Sequence, residues 1–106
     1  MAEKRFEHRR KKRLTVKFGP SDLQFLGFTV DVSVEGLFIE SNTVFRPGTL
    51  LRVQLNTRDG QTILLDGEVR WGKKYPAYAH KLRSGMGLLV KTFHEGQDLF
   101  EELYND

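Results

Sequence analysis

The chain has 106 residues and no cysteine, with 39% hydrophobic, 11% aromatic and 29% charged side chains, which suits one domain with a modest core and leaves little room for a second. The missing cysteines exclude disulfides, thiolate nucleophiles and the common structural zinc sites, and His8, His80 and His94 are scattered without metal-ligand spacing. The net charge of +3 conceals an asymmetry: residues 1–17 hold eight basic against two acidic side chains and residues 18–106 nine against twelve, so a basic arm precedes a mildly acidic body and points to a phosphorylated or polyanionic partner.

In chain order, residues 1–13 read as a flexible basic N-terminal arm and residues 14–106 as the folded body. No apolar run reaches the length of a membrane span, and the N-terminus is charged where a signal peptide needs an apolar segment; a cytoplasmic protein without membrane insertion is expected. Leu14-Thr15-Val16-Lys17-Phe18 alternates apolar and polar, and Gly19-Pro20-Ser21-Asp22 is a turn cluster. Phe28, Val30 and Val32 alternate again, and Leu37-Phe38-Ile39 is a short apolar run. Pro47-Gly48 separates it from Leu51, Val53 and Leu55, and Asp59-Gly60 is a hairpin signal leading into Ile63, Leu65, Gly67, Val69 and Trp71. An irregular stretch at 72–85 gives way to a last strand, Gly85-Met86-Gly87-Leu88-Leu89-Val90, whose glycines suit a sharp bend or a close neighbour. Leu99, Phe100, Leu103 and Tyr104 then fall at helical spacing, which predicts one amphipathic helix over 95–104 capping an open end of the body. The fold class is mostly β: a six-stranded antiparallel β-barrel with a C-terminal helix.

Between the second and third strands lies Asp31-x-Ser33-x-x-Gly36. Asp, Ser and Gly are ordinary turn residues, so a structural connection accounts for them without any function. A ligand reading needs a complement, and the arm supplies it. Arginine presents a planar fork matching phosphate oxygens and the O6 and N7 acceptors of guanine. An ionised carboxylate at Asp31 would accept from the N–H donors on guanine's other edge or hold an arginine in position. Ser33 would donate to a phosphate or base acceptor, and Gly36 would permit a positive φ or a close backbone approach. Together they describe a ligand with guanines and phosphates.

An Arg-x-x-x-Arg segment in "KRFEHRRKKR", followed by "DVSVEG", "GEVRW" and "GMGLLV" in that order, resembles the PilZ domain family, which binds the bacterial second messenger cyclic di-GMP; the likeness runs from Lys4 to Phe93. It implies a PilZ-like split barrel and a receptor that signals by a conformational switch to a protein partner. Both Arg5-x-x-x-Arg9 and Arg9-x-x-x-Arg13 fit the arginine motif. Arg9 lies seven residues before Val16 and twenty-two before Asp31, which favours Arg5 and Arg9. The implied ligand contacts are Arg5, Arg9, Asp31, Ser33 and Gly36, with Arg10 as a further phosphate contact and Lys11 and Arg13 as second choices. The arm is expected to order over the barrel on binding.

No Ser-His-Asp, paired-acid or metal constellation stands out, so neither an enzyme nor a bound cofactor is expected. The reading from another class is a small barrel binding RNA or single-stranded DNA through the arm and Phe28, Phe38, Trp71, Tyr75 and Tyr78. Alternation places Phe28 and Trp71 in the core, and the acidic body disfavours a long polyanion track.

Overall fold

A computed structural model describes residues 9–105. The strands are β1 (Arg10–Lys11), β2 (Thr15–Gly19), β3 (Phe25–Val32), β4 (Gly36–Glu40), β5 (Leu50–Asn56), β6 (Thr62–Lys73) and β7 (Gly85–Glu95), followed by helix α1 (Gln97–Tyr104). All pairings are antiparallel: β3 joins β2, β2 joins β5, then β6, β7 and β4 follow, and β4 returns to β3. This last pairing closes six strands into a barrel and removes every long open edge.

The two-residue β1 extends the edge begun by β2, with Arg10 opposite Val32 and Lys11 opposite Asp31. Between β1 and β2 the chain is pinned by the buried Thr29, whose hydroxyl donates to the Lys12 carbonyl and accepts the Leu14 amide. Residues 10–13 of the arm therefore lie along β3, led there by backbone pairing that no side-chain pattern announces.

Alternation fills the barrel. Val16 and Phe18 of β2, Leu51, Val53 and Leu55 of β5, and Ile63, Leu65 and Val69 of β6 point inward and are almost wholly buried. At about 25 cal/mol per Å² of apolar surface, this burial is the main favourable term holding the strands together. One end of the core is filled by Phe18, Phe25 and Phe45, whose ring centroids lie 5.4–6.3 Å apart. The other end is closed by α1: Phe100 is buried, within 5.3 Å of Phe93 and 5.9 Å of Tyr104, and Leu99 and Leu103 pack beside it.

Four local expectations are corrected. Glu95 ends β7 instead of starting the helix, because the pairing with β6 runs on to Leu64 opposite Glu95, and α1 begins only after Gly96 (φ 78°) redirects the chain. The Asp59-Gly60 hairpin is wider than two residues: the Thr57 amide donates to the Gln61 carbonyl, and Gly60 takes φ 87° between them. That is a three-residue loop with glycine in the left-handed position.

Phe28 and Trp71 are not core residues; they are 38% and 46% exposed. Each strand carries one extra residue that reverses its alternation. In β3, Thr29 pairs with Ile39 but Asp31 pairs with Phe38, so Val30 is inserted. In β6, Val69 pairs with Leu88 but Trp71 pairs with Gly87, so Arg70 is inserted. A bulge shifts the register by one, and the side-chain period of two turns that shift into a change of face.

Candidate functional site

The same two bulges build the outer surface beside the Asp-Ser-Gly turn. Asp31 pairs with Phe38, Phe38 with Gly87 and Gly87 with Trp71, so one row crosses β3, β4, β7 and β6 on the outside of the barrel. A side chain at Gly87 would collide with the Trp71 indole, its Cβ falling 2.4 Å from Nε1. The bare backbone lets Phe38 and Trp71 stack, with centroids 5.1 Å apart and planes inclined by 15°. This aromatic pair floors an open cleft of about 510 Å³, whose walls include Arg9, Asp31, Glu35, Gly36 and Arg70. Lys73 adds a cation 5.9 Å from the centre of the Trp71 ring.

The motif residues take distinct places around it. Arg9 Nη1 donates to Asp31 Oδ1 at 2.6 Å across a separation of 22 residues, with 47% of the arginine side chain and 24% of the aspartate side chain exposed. Such a charge-assisted bond orients both groups at the rim and leaves acceptor capacity on the carboxylate. Ser33 is fully buried; its amide donates to the Gly36 carbonyl at 2.8 Å and its hydroxyl lies 3.4 Å from the same oxygen. Ser33 thus closes the turn and is not among the described residues that line the cleft. Gly36 lines the cleft but is also needed by the barrel: a Cβ there would stand 1.9 Å from the Leu88 carbonyl oxygen, so the close approach is to β7. Its φ is not among the positive ones.

Arg10 is exposed on β1. Arg13 turns elsewhere, its guanidinium 4.2 Å above the Phe28 ring and 3.6 Å from Glu40. The two arginines of the alternative motif register thus engage different carboxylates. Arg5 lies outside the described residues.

Glu35, Phe38, Arg70 and Trp71 of the cleft were not among the expected cyclic di-GMP contacts; Phe38 and Trp71 entered only the nucleic-acid reading. Arg70 and Trp71 stand at the end of "GEVRW", where simple alternation sends the tryptophan inward. A signal was nonetheless present in the partner strand, since Gly85 and Gly87, two apart, leave a bare outer surface on which a flat ring can lie.

A second arginine–aspartate pair sits on the β5–β6 ladder, Arg52 Nε donating to Asp66 Oδ1 at 2.6 Å, with His94 Nε2 2.9 Å from the other carboxylate oxygen. Burial pushes the Asp66 carboxyl up, but the hydrogen bonds and charges of His94 and Arg52 outweigh it and hold the group below its ordinary value. Among the described residues no three His, Cys, Asp or Glu side chains converge to hold a metal ion, and no helix is long and apolar enough to cross a membrane.

Residues 3–103 match the family model of the PilZ domain. No curated protein matches the chain. Among solved structures, the chain is similar to the inhibitor of motility MotI/DgrA of Bacillus subtilis, with a TM-score of 0.73 at 18% identity, covering 95% of this chain and 50% of that one. The likeness is one of fold, and the chain spans about half the length of that structure.

Proposed function

The chain belongs to the PilZ domain family, whose members are in general cyclic di-GMP receptors, and from that premise we propose that it binds cyclic di-GMP in the cleft between the arginine arm and the Asp31–Gly36 turn. The observation that carries the reading is the Arg9–Asp31 pair, a guanidinium and a carboxylate held at 2.6 Å on the rim of a cleft floored by Phe38 and Trp71. Arg9 offers its fork to a guanine edge or a phosphate, and Asp31 accepts from the guanine N–H donors. The aromatic floor offers a face on which a base can stack, and Arg70 adds positive charge beside the phosphates. Arg5 completes the arginine motif, Arg10 adds a phosphate contact, and Ser33 and Gly36 hold the turn against β7 while Gly36 leaves the backbone open to the ligand.

The output is a change of shape, not a reaction. Residues 10 and 11 of the arm already pair with β3; binding tightens the arm over the cleft, and a protein partner reads the difference. No cofactor takes part, and the setting is the cytoplasm.

The reading as an RNA or single-stranded DNA binder gains something from the outward-facing Phe28 and Trp71. The body beyond the arm, however, carries more acidic than basic side chains, and that charge works against a long nucleic-acid track.

The test is a calorimetric titration with cyclic di-GMP, alongside GTP and a short single-stranded RNA at the same salt. Micromolar or tighter binding of the cyclic dinucleotide alone is the expected result. Silence toward it, with salt-sensitive binding of the RNA, overturns the proposal.

A further inference from the structure

Seven large hydrophobic side chains are conspicuously exposed among the described residues, and three of them, Leu26 (68%), Leu82 (53%) and Phe28, line one groove. The groove, of about 460 Å³, lies between the outer face of β3 and the loop of residues 74–84. Its wall is built into the barrel: the Ser41 amide donates to the Ser84 carbonyl, the Tyr75 amide to the Ser84 hydroxyl, and the Lys74 ammonium to the Asn42 carbonyl. Tyr78, 80% exposed, stands on the same loop. Exposed apolar side chains gathered in one place, unlike single ones scattered over a surface, mark an interaction site.

Charge decides the kind of partner. Residues 72–85 carry Lys73, Lys74, Lys81 and Arg83 and no acidic residue, in a body that is otherwise acidic. Glu40 is the one acidic side chain among the residues lining the groove, and both of its oxygens are engaged, Oε2 by Arg83 at 2.7 Å and Oε1 by Arg13 at 3.6 Å. Arg83 balances Glu40 within the groove, and Lys74 and Lys81 on the loop beside it leave that side with a positive surplus, which attracts an acidic segment and opposes a basic one.

We infer that this groove docks an acidic protein segment that buries an apolar anchor, leucine or aromatic, between Leu26, Phe28 and Leu82. The aliphatic chains favour a protein over a nucleic acid, because leucine gains from burial but gives a base no ring to stack on. The site is separate from the nucleotide cleft, yet the two share β3 and β4: Phe28 and Glu40 face the groove, and Asp31 and Phe38 face the cleft. Between them in β3 lies the Val30 bulge. The inference draws on the receptor reading only for the reason that a bound nucleotide needs a reader; the groove and its charge stand without it.

The test selects a phage-displayed library of random peptides on the full chain. Enriched sequences are expected to be net negative with a leucine or aromatic anchor, to bind more weakly as salt rises, and to slow amide exchange at residues 26–28 and 75–84. Replacing Leu26→Ser with Leu82→Ser, or Lys81→Glu with Arg83→Glu, is expected to weaken the selected peptides by about tenfold or more, the scale of losing an anchor or its charge partner. Circular dichroism and a cyclic di-GMP titration of each variant show that fold and nucleotide site are intact. No enrichment, enriched peptides without acidic bias, equal binding to the variants, or protection of the same residues by oligo(dT) in place of peptides each overturns the inference. A chain that selects acidic peptides but ignores cyclic di-GMP keeps the groove and loses the receptor reading; the opposite result does the reverse.

Discussion

The two arginine–aspartate pairs of the barrel are alike in almost every local respect. Arg9–Asp31 and Arg52–Asp66 both close at 2.6 Å, and their side chains are similarly part exposed. Arg52 and Asp66 are direct cross-strand neighbours in the β5–β6 register, and His94 takes the remaining oxygen. Both oxygens of that carboxylate are engaged, and it lines neither the cleft nor the groove. Arg9 reaches Asp31 from the arm, beside an aromatic floor with room above it. The two pairs thus differ in the open surface beside them and not in their own geometry.

The largest expected effect is at the cleft. Arg9→Ala and Asp31→Ala are each expected to weaken cyclic di-GMP binding by roughly 5- to 150-fold, about 1–3 kcal/mol, with thermal melting almost unmoved. Wild-type calorimetry for both would mean that the cleft pair is as structural as the ladder pair. Next comes Gly36→Ala, whose added methyl would stand 1.9 Å from the Leu88 carbonyl oxygen and force the backbone apart, for about 1–3 kcal/mol in urea unfolding. An unchanged midpoint would show that the turn is not held hard against β7.

Asp66→Asn sharpens the contrast from the other side. It is expected to cost about 0.2–1 kcal/mol of stability, the usual worth of an exposed pair, and to leave cyclic di-GMP affinity as it was; any loss of affinity would join the two sites. The smallest effect is in its pH dependence. Asp66 has a folded value below the ordinary 3.8, so its contribution is fully present above the ordinary carboxylate range and fades as pH falls through the depressed value. The stability gap between wild type and Asp66→Asn, measured by urea unfolding, should therefore be widest near neutrality and close in acid. A gap that widened in acid would mean that the pair does not hold the carboxylate ionised.

Much of the fold was legible because local patterns agreed with it. Val16 and Phe18, Val53 and Leu55, and Ile63 and Leu65 alternate with polar residues and are buried as alternation requires. The C-terminal stripe of Leu99, Phe100 and Leu103 sealed the barrel end as its spacing implied. Of the site, the sequence marked Arg9, Asp31 and Gly36, whose residue types carry recognisable chemistry, and these meet at one cleft. It misplaced Phe28 and Trp71, because a bulge changes faces without changing composition. Arg70 escaped for the same reason: an outward arginine on a strand looks like any other until its neighbours are known.

What the sequence determined by itself, then, is the six strands of the barrel and the C-terminal helix, because these depend on periodicity and residue type within a few positions of each other; the residue types that would suit a guanine dinucleotide were read over the same short range. Tertiary structure decided which faces those residues share. The closure of β4 onto β3 and β7, the inserted Val30 and Arg70, and the lie of residues 10–13 along β3 are pairings between distant segments. A one-residue shift in such a pairing moves a side chain from core to surface, and that shift made an outer aromatic floor beside Asp31.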